Sequence, residues 1–416
     1  LPLKPRMSVN SIDRLVLDDD WSDLARLREM PQIDFERMAR YRMARIKQQL
    51  ELHDAELVVL VNPISLRYAV NFRSYLLFQS HIPQIYVFVP REGPVVAYGC
   101  YYNLPQVTEF RPGRPHAFFD GGNNIDAAAR DLADDVVEYL AEIGSSNRRV
   151  AVEYVNPSVT QALEARGIEV IDGVRISEMA RVIKSEDEIA CMRWAIEVGQ
   201  HGARMMKNAL RPGISELQLW GLLNYTNIAN NGDWHEGRML ASGPRINPWL
   251  QEASERKVES GDLVGFDTDM VGPFGYFVDL SRTLHCGPAK PTRRQKQIYR
   301  MAVDEIEHNL KLVRPGMTLF EMQDQAYSIP EECRDNAYVC MMHAVGMCDE
   351  YPQVRQGFRQ RNAYDCTLEA GMVVCIESYM GPKGERDGVK IEQQVLITEH
   401  GYQPLTTFPY EESLLD

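Results

Sequence analysis

The chain has 416 residues, 44% of them apolar and 25% charged, and a formal net charge of -14. That length suits two domains, and the composition suits a globular protein without wholesale disorder. The negative charge speaks against nucleic acid or an anionic membrane surface as partner, but not against a cationic ligand; no window holds the long uncharged apolar run of a membrane span.

In chain order, residues 1–33 read as an arm lacking the charged-then-apolar layout of a signal peptide, which predicts a cytoplasmic protein. The eight cysteines (Cys100, Cys191, Cys286, Cys333, Cys340, Cys348, Cys366 and Cys375) are scattered and form no CxxC pair, so reduced, mostly buried thiols are expected. Over 34–183 helical and apolar runs alternate: a helix near 35–51, strands at 56–62, 85–90 and 93–99, a helix near 125–143 and a strand at 149–153. This alternation predicts a small α/β domain. Ser185 with Glu188 three residues on reads as a helix start, and the domain boundary is placed at Lys184.

The second domain, 184–416, opens with helices and then gains two hairpins. The first is expected at 262–270 and 276–283, the second at 372–377 and 389–397, with helices at 293–313 and 319–326 between them. Two hairpins separated by helices suggest two related α/β halves.

The hairpins carry the chemistry. Asp267 and Asp269 are two apart, so strand periodicity puts them on one face, with Asp279 on the returning strand. Any one of them reads as a solvent-facing acid or a partner of Arg282. Three together among Val, Phe and Gly call for a positive charge, and a metal supplies it. Glu377 and Glu392 repeat the pattern on the second hairpin. His343, in the apolar run 340–347, reads alone as a core histidine; beside five carboxylates it reads as a ligand. The set Asp267, Asp269, Asp279, His343, Glu377 and Glu392 suits iron or manganese better than a thiolate-type zinc site, and its size suits two metals bridged by carboxylates.

These segments resemble the creatinase/aminopeptidase P/prolidase family over essentially all of 34–401. The stretches 261–267 and 275–283 are similar to the family's Asp hairpin, 343–347 to its His segment, and 376–377 with 391–392 to its Glu hairpin, while 183–185 resembles the usual start of its catalytic domain. The resemblance implies an α/β chain: a "pita-bread" α+β metal-binding domain over 184–416 behind a smaller creatinase-like α/β domain. It also implies a homodimer in which that smaller domain covers the partner's site.

Three departures from the peptidase pattern bear on function. Asp269 stands where peptidases usually have Gly. Trp249 stands where peptidases and creatinase carry a substrate-handling His, and Asp349 where peptidases carry a second His after the metal-binding one. The combination of Asp267-Thr268-Asp269, Pro248-Trp249 and the run 348–352 is similar to the dimethylsulfoniopropionate lyase branch, whose non-hydrolytic, iron-loaded members release dimethyl sulfide and acrylate. That implies a carbon–sulfur lyase with two metal ions, iron first and manganese or zinc as alternatives. It would act by base-catalysed β-elimination on a small zwitterionic sulfonium compound whose carboxylate binds the metals. Asp349 is the candidate base, although by itself it reads as a cap or a solvated acid. Trp249 and Tyr338 are candidate aromatic walls for the sulfonium, Tyr338 also a catalytic hydrogen-bond donor; either reads equally well as core. Trp234 and His235 are weaker candidates for the same cavity. Arg245 is a candidate partner of the substrate carboxylate, or of a surface acid, and Arg282 a brace for the ligands. A hydrolase of the same fold, an Xaa-Pro peptidase or creatinase-like amidinohydrolase, would need a further histidine that the matching segments lack. A binding-only relative would be expected to have lost ligands, and none is missing.

Overall fold

The structure, a computed structural model, describes residues 30–73, 76–81, 83–99, 104–112, 122–355 and 364–415. Most of the arm read at 1–33, and Cys100, lie outside the described residues. The chain divides into one unit over Asp34–Asp187 and a second built on Glu188–Asp416.

The first unit runs α1 (Phe35–Leu52), β1 (Leu57–Leu60), α2 (Pro63–Val70), α3 (Leu76–His81), β2 (Tyr86–Pro90), β3 (Val96–Tyr98), β4 (Glu109–Arg111), α4 (Ile125–Glu142), β5 (Arg149–Val152), α5 (Pro157–Glu164), β6 (Glu169–Asp172) and α6 (Gly173–Arg181). Asp34 starts α1 by accepting from the Arg37 amide, and Asn62 starts α2 by accepting from the Ile64 amide, each satisfying an amide the helix leaves unpaired. The strands form one mixed sheet in the order β4-β3-β2-β1-β5-β6. β1 is buried along its whole length, as its unbroken Leu-Val-Val-Leu run requires. Buried Glu153 accepts from the Val61 and Asn62 amides and the Ser65 and Ser177 hydroxyls, tying the end of β5 to α2 and α6.

The second unit runs α7 (Glu186–Ala209), α8 (Glu216–Ala229), β7 (Trp234–His235), β8 (Leu240–Ser242), β9 (Leu263–Asp267), β10 (Met270–Val271), β11 (Phe277–Val278), β12 (Ser281–His285), α9 (Arg293–Leu310), α10 (Leu319–Gln325), β13 (Cys340–Val345), β14 (Asp349–Arg355), β15 (Val373–Met380), β16 (Val389–Thr398), β17 (Gly401–Pro404) and α11 (Glu412–Leu415). Capping boxes begin three of the helices: Ser215 with Gln218, Thr292 with Gln295, and Thr318 with Glu321. The strands form three sheets, ordered β11-β10-β7, β12-β9-β8 and β14-β13-β15-β16-β17. α9 packs on β15 and β16, and β12 and β9 pack against β16. β16 therefore lies between α9 on one side and β12 and β9 on the other, and its neighbour β15 is buried throughout. The two strand systems are laced together at Thr283, whose hydroxyl donates to the Lys390 carbonyl at 3.0 Å and accepts from the Lys390 amide at 2.9 Å.

The second hairpin matches its sequence pattern, with Glu377 opposite Glu392 in an antiparallel pair. The first does not. β9 ends at Asp267, Asp269 takes a left-handed φ of 36°, and Met270–Val271 joins a different sheet. Asp267 and Asp269 thus come together through a bend between two sheets, not through strand alternation. Asp279 likewise lies between β11 and β12, where the chain passes from one sheet to the other. Among the described residues no helix is long and apolar enough to cross a membrane. The seven described cysteines form no disulfide, and all but Cys340 and Cys366 are buried.

Candidate metal centre

The five acids and one imidazole picked out by sequence converge. β9 delivers Asp267 at its end, β13 delivers His343, and β15 and β16 deliver Glu377 and Glu392. One ligand atom each from Asp267, Glu377 and Glu392 lie within 4.8 Å of one another, as do those of Asp267, Asp269 and Asp279, and those of Asp279, His343, Cys375 and Glu392. The groups overlap at Asp267, Asp279 and Glu392, the arrangement two neighbouring cations would share. His343 is the hub: its Nε2 lies 3.1 Å from Glu377 Oε1, 3.4 Å from Asp279 Oδ2 and 3.6 Å from Glu392 Oε1.

All of these except Asp269 are buried. Burial, then the Glu392 and Asp267 charges, holds the Asp279 carboxyl well above its usual range. Burial and Glu377 push Glu392 up to about 8, and burial and Asp267 push Asp269 up to about 9. Burial also works to raise Asp267, but the Lys390 ammonium and the Ser281 hydroxyl outweigh it and hold that carboxyl low. So crowded a set of acids binds protons unless other cations displace them. Asp267 Oδ1 and Glu392 Oε1 are buried with no hydrogen-bond partner. A metal supplies the missing partner for both, and an oxygen-rich set with one imidazole fits a hard or borderline divalent ion. The residues present fit a metal centre.

The other candidates are placed as follows. Asp349, at the start of β14, sets Oδ1 3.4 Å from His343 Nδ1, with its side chain 59% exposed at the open side of the cluster. Surrounding protein, then Glu377 and Asp267, raise its carboxyl against the opposing pull of His343. Tyr338 presents its ring 5.0 Å from the Lys390 ammonium. Trp249 is 6% exposed and packs over Gly265, where an added Cβ would stand 3.0 Å from the indole. Gly265 is two residues before Asp267 on the same strand, so the indole lies on the cluster's side of β9. The indole Nε1 is buried without a partner.

Two sequence candidates are otherwise engaged. Arg245 forms an ion pair with Glu216, a fully buried acid that also accepts from the Ser242 and Ser254 amides and hydroxyls. Its guanidinium belongs to that network and to the Glu252 carbonyl, not to a substrate carboxylate. His235 turns its ring edge to Trp220 and its Nδ1 to the Thr268 carbonyl, and burial lowers it to about 4, so it is neutral. Arg282 donates to the carbonyls of Ser281, Glu392 and Phe408, bracing the backbone beneath two of the strands.

Sequence reasoning passed over Lys390, Ser281, Cys375 and Glu236. Lys390 carried a readable signal: a lone cation two residues before Glu392 in an apolar strand must share its face. Glu236 is held beside Asp269 by its amide, which donates to the Asp269 carbonyl at 2.9 Å. Surrounding protein, then Asp349, push its carboxyl up to about 7.

A two-unit α/β chain with a buried, carboxylate-rich centre in its C-terminal half defines a metal-dependent enzyme of the pita-bread fold. Residues 190–399 match the model of metallopeptidase family M24, and the chain belongs to that family. It is 34% identical over 395 residues to the dimethylsulfoniopropionate lyase DddP of Roseovarius nubinhibens, covering 92% of this chain and 88% of that one. The corresponding lyase of Roseobacter denitrificans is also 34% identical, over 397 residues and the same shares. The Xaa-Pro dipeptidase of Pyrococcus furiosus is 30% identical over 233 residues, 54% of this chain and 63% of its own. Among solved structures, an Xaa-Pro dipeptidase from Bacillus anthracis superposes with a TM-score of 0.71 at 21% identity, covering 90% of this chain and 99% of that one.

Proposed function

We propose that this protein is a two-metal lyase that splits dimethylsulfoniopropionate into dimethyl sulfide and acrylate. The carrying observation is Asp349: a carboxylate, not a second imidazole, stands 3.4 Å from His343 at the open side of the acid cluster. The likeness to the two lyases over 92% of the chain supports the same reading.

The six ligands would be Asp267, Asp269, Asp279, His343, Glu377 and Glu392, on a catalytic domain over 184–416. When bound, the metal pair supplies the positive charge that holds the substrate carboxylate and steadies the electron density building beside it. Asp349 takes the proton from the carbon next to that carboxylate. The released pair forms the carbon–carbon double bond, the carbon–sulfur bond breaks, and sulfur leaves with its pair as neutral dimethyl sulfide. Trp249 and Tyr338 offer aromatic faces to the sulfonium cation, and the Tyr338 hydroxyl is available to the reacting carboxylate or leaving group. Iron is the metal of choice in this reading, with manganese or zinc as alternatives. The working form would be a cytoplasmic homodimer acting on a small zwitterion.

The test is direct. Purified iron-loaded protein is given dimethylsulfoniopropionate, with dimethyl sulfide read by gas chromatography and an Xaa-Pro dipeptide run in parallel. Sulfide without peptide cleavage is expected; cleavage without sulfide establishes the hydrolase instead. Asp349→Ala should keep both metals and lose activity by about two to four orders of magnitude. Retained elimination in that variant would move the base elsewhere.

A further inference from the structure

The side chain of Lys390 is fully buried, and its ammonium lies against the acid cluster. It stands 3.0 Å from Asp267 Oδ2, hydrogen-bonds Glu377 Oε2, and lies 3.8 Å from Glu392 Oε2. Its fourth polar neighbour is the Ser281 hydroxyl at 2.8 Å, which itself meets Glu392 Oε2 at 3.0 Å. Each of the three carboxylates is therefore split in use. One oxygen turns to Lys390 and Ser281. The other turns to the opposite side, where Glu377 Oε1 meets His343 and where Asp267 Oδ1 and Glu392 Oε1 have no hydrogen-bond partner. A buried ammonium is costly to desolvate unless its partners are well placed. Here the placement also fixes which oxygen of each acid stays free.

We propose that Lys390 is a positioning residue of the metal centre: its ammonium holds Asp267, Glu377 and Glu392 so that one oxygen of each is preset toward the cations. This rests on the two-metal part of the proposed function and not on its substrate. It also settles charge. Five ligand carboxylates against two divalent cations leave one negative charge, which the ammonium cancels. The rival role for a buried cation here, as a competitor that keeps metals out, has the opposite consequence for affinity.

The test is metal binding, with no substrate present. Metal-free protein is titrated with manganese(II) by calorimetry, and the visible absorption of the cobalt(II)-loaded protein is recorded. In Lys390→Met we expect affinity for at least one ion to fall by about 10–100-fold, the usual effect of removing a ligand's outer partner. The cobalt spectrum should change with it, because the ligand oxygens are no longer held. Ser281→Ala, a gentler lesion of the same bonds, should shift both readouts in the same direction by less, and it decides the matter if the Met variant does not fold. Unchanged or tighter manganese binding overturns the proposal. So does weaker binding with an unaltered cobalt spectrum, which would mean general loosening of the fold. A protein that binds metals as described but releases no sulfide would refute the lyase reading and leave this one standing.

Discussion

Glu377 and Glu392 face each other directly across β15 and β16, and the His343 ring reaches an oxygen of each. Like charges placed opposite on neighbouring strands destabilise a sheet. Their presence at buried positions of the strand pair is a stability debt that bound cations offset. Chelation of the purified protein should therefore lower its melting temperature. At a metal concentration of about 100 times Kd the linkage is worth ~2.7 kcal/mol per site, or roughly 3 °C per site for a chain of this size. Differential scanning fluorimetry with and without a chelator measures it, and an unchanged transition would remove the metal centre from the account.

Trp249 and Gly265 form one contact, and it can be broken from either side. Gly265→Ala sets a Cβ against both the indole and Ile246, at 3.0 and 2.8 Å, so overpacking of about 1–3 kcal/mol is expected. Trp249→Leu removes the aromatic face. If that face meets the sulfonium, KM should rise by about 3- to 30-fold, corresponding to ~0.5–2 kcal/mol of cation–π attraction, with kcat changed less. A KM equal to the parent's in a folded Leu variant would assign Trp249 to packing alone.

Arg245 is predicted to matter for the fold and not for the substrate. Arg245→Met leaves buried Glu216 with its serine donors but without its cation. A loss of roughly 2 kcal/mol in urea unfolding is expected, with KM unmoved. A large KM effect without loss of stability would return Arg245 to the substrate.

Glu305, on α9 behind β15, gives a pH signature of its own. Burial, more than the nearby Glu377 charge, pushes its carboxyl up to about 8, while the neighbouring Ser378 hydroxyl works the other way. The folded value lies above the unfolded one, near 4.5. Its contribution to stability is thus complete below about pH 4.5 and is lost as pH rises to 8. Glu305→Gln removes that slope. Relative to the parent, the variant should gain roughly 2–3 kcal/mol between pH 6 and 8.5 in urea melts. Parallel slopes would show that Glu305 is charged throughout.

How much of this could be read from residues alone differs between the two hairpins. The Glu hairpin follows strand alternation, so Glu377 and Glu392 were legible as a facing pair. The Asp segment is not a single hairpin. Its acids meet because the backbone turns through a left-handed Asp269 and changes sheets, and no two-residue periodicity encodes that; motif resemblance supplied what periodicity could not. Arg245 failed because a charged side chain beside a site-forming turn carries no mark of its partner, and Glu216 lies in a helix well upstream. Lys390 is visible in the strand pattern, two residues before Glu392 on the same face, but its three carboxylate partners lie on two other strands as well as its own.

The lacing of the two strand systems also sets an order of events. Ser281 bonds Glu392 across 111 residues of chain, and the Asp279 amide donates to the Gln394 side chain across 115. Contacts of that separation close late in folding, because a long loop must be ordered before they reward it. Metal uptake should accordingly be the last kinetic phase of refolding, arriving after helix formation is complete. A fragment ending before β15 would lack Glu377 and Glu392, and loading of the complete centre would report that β16 is in place.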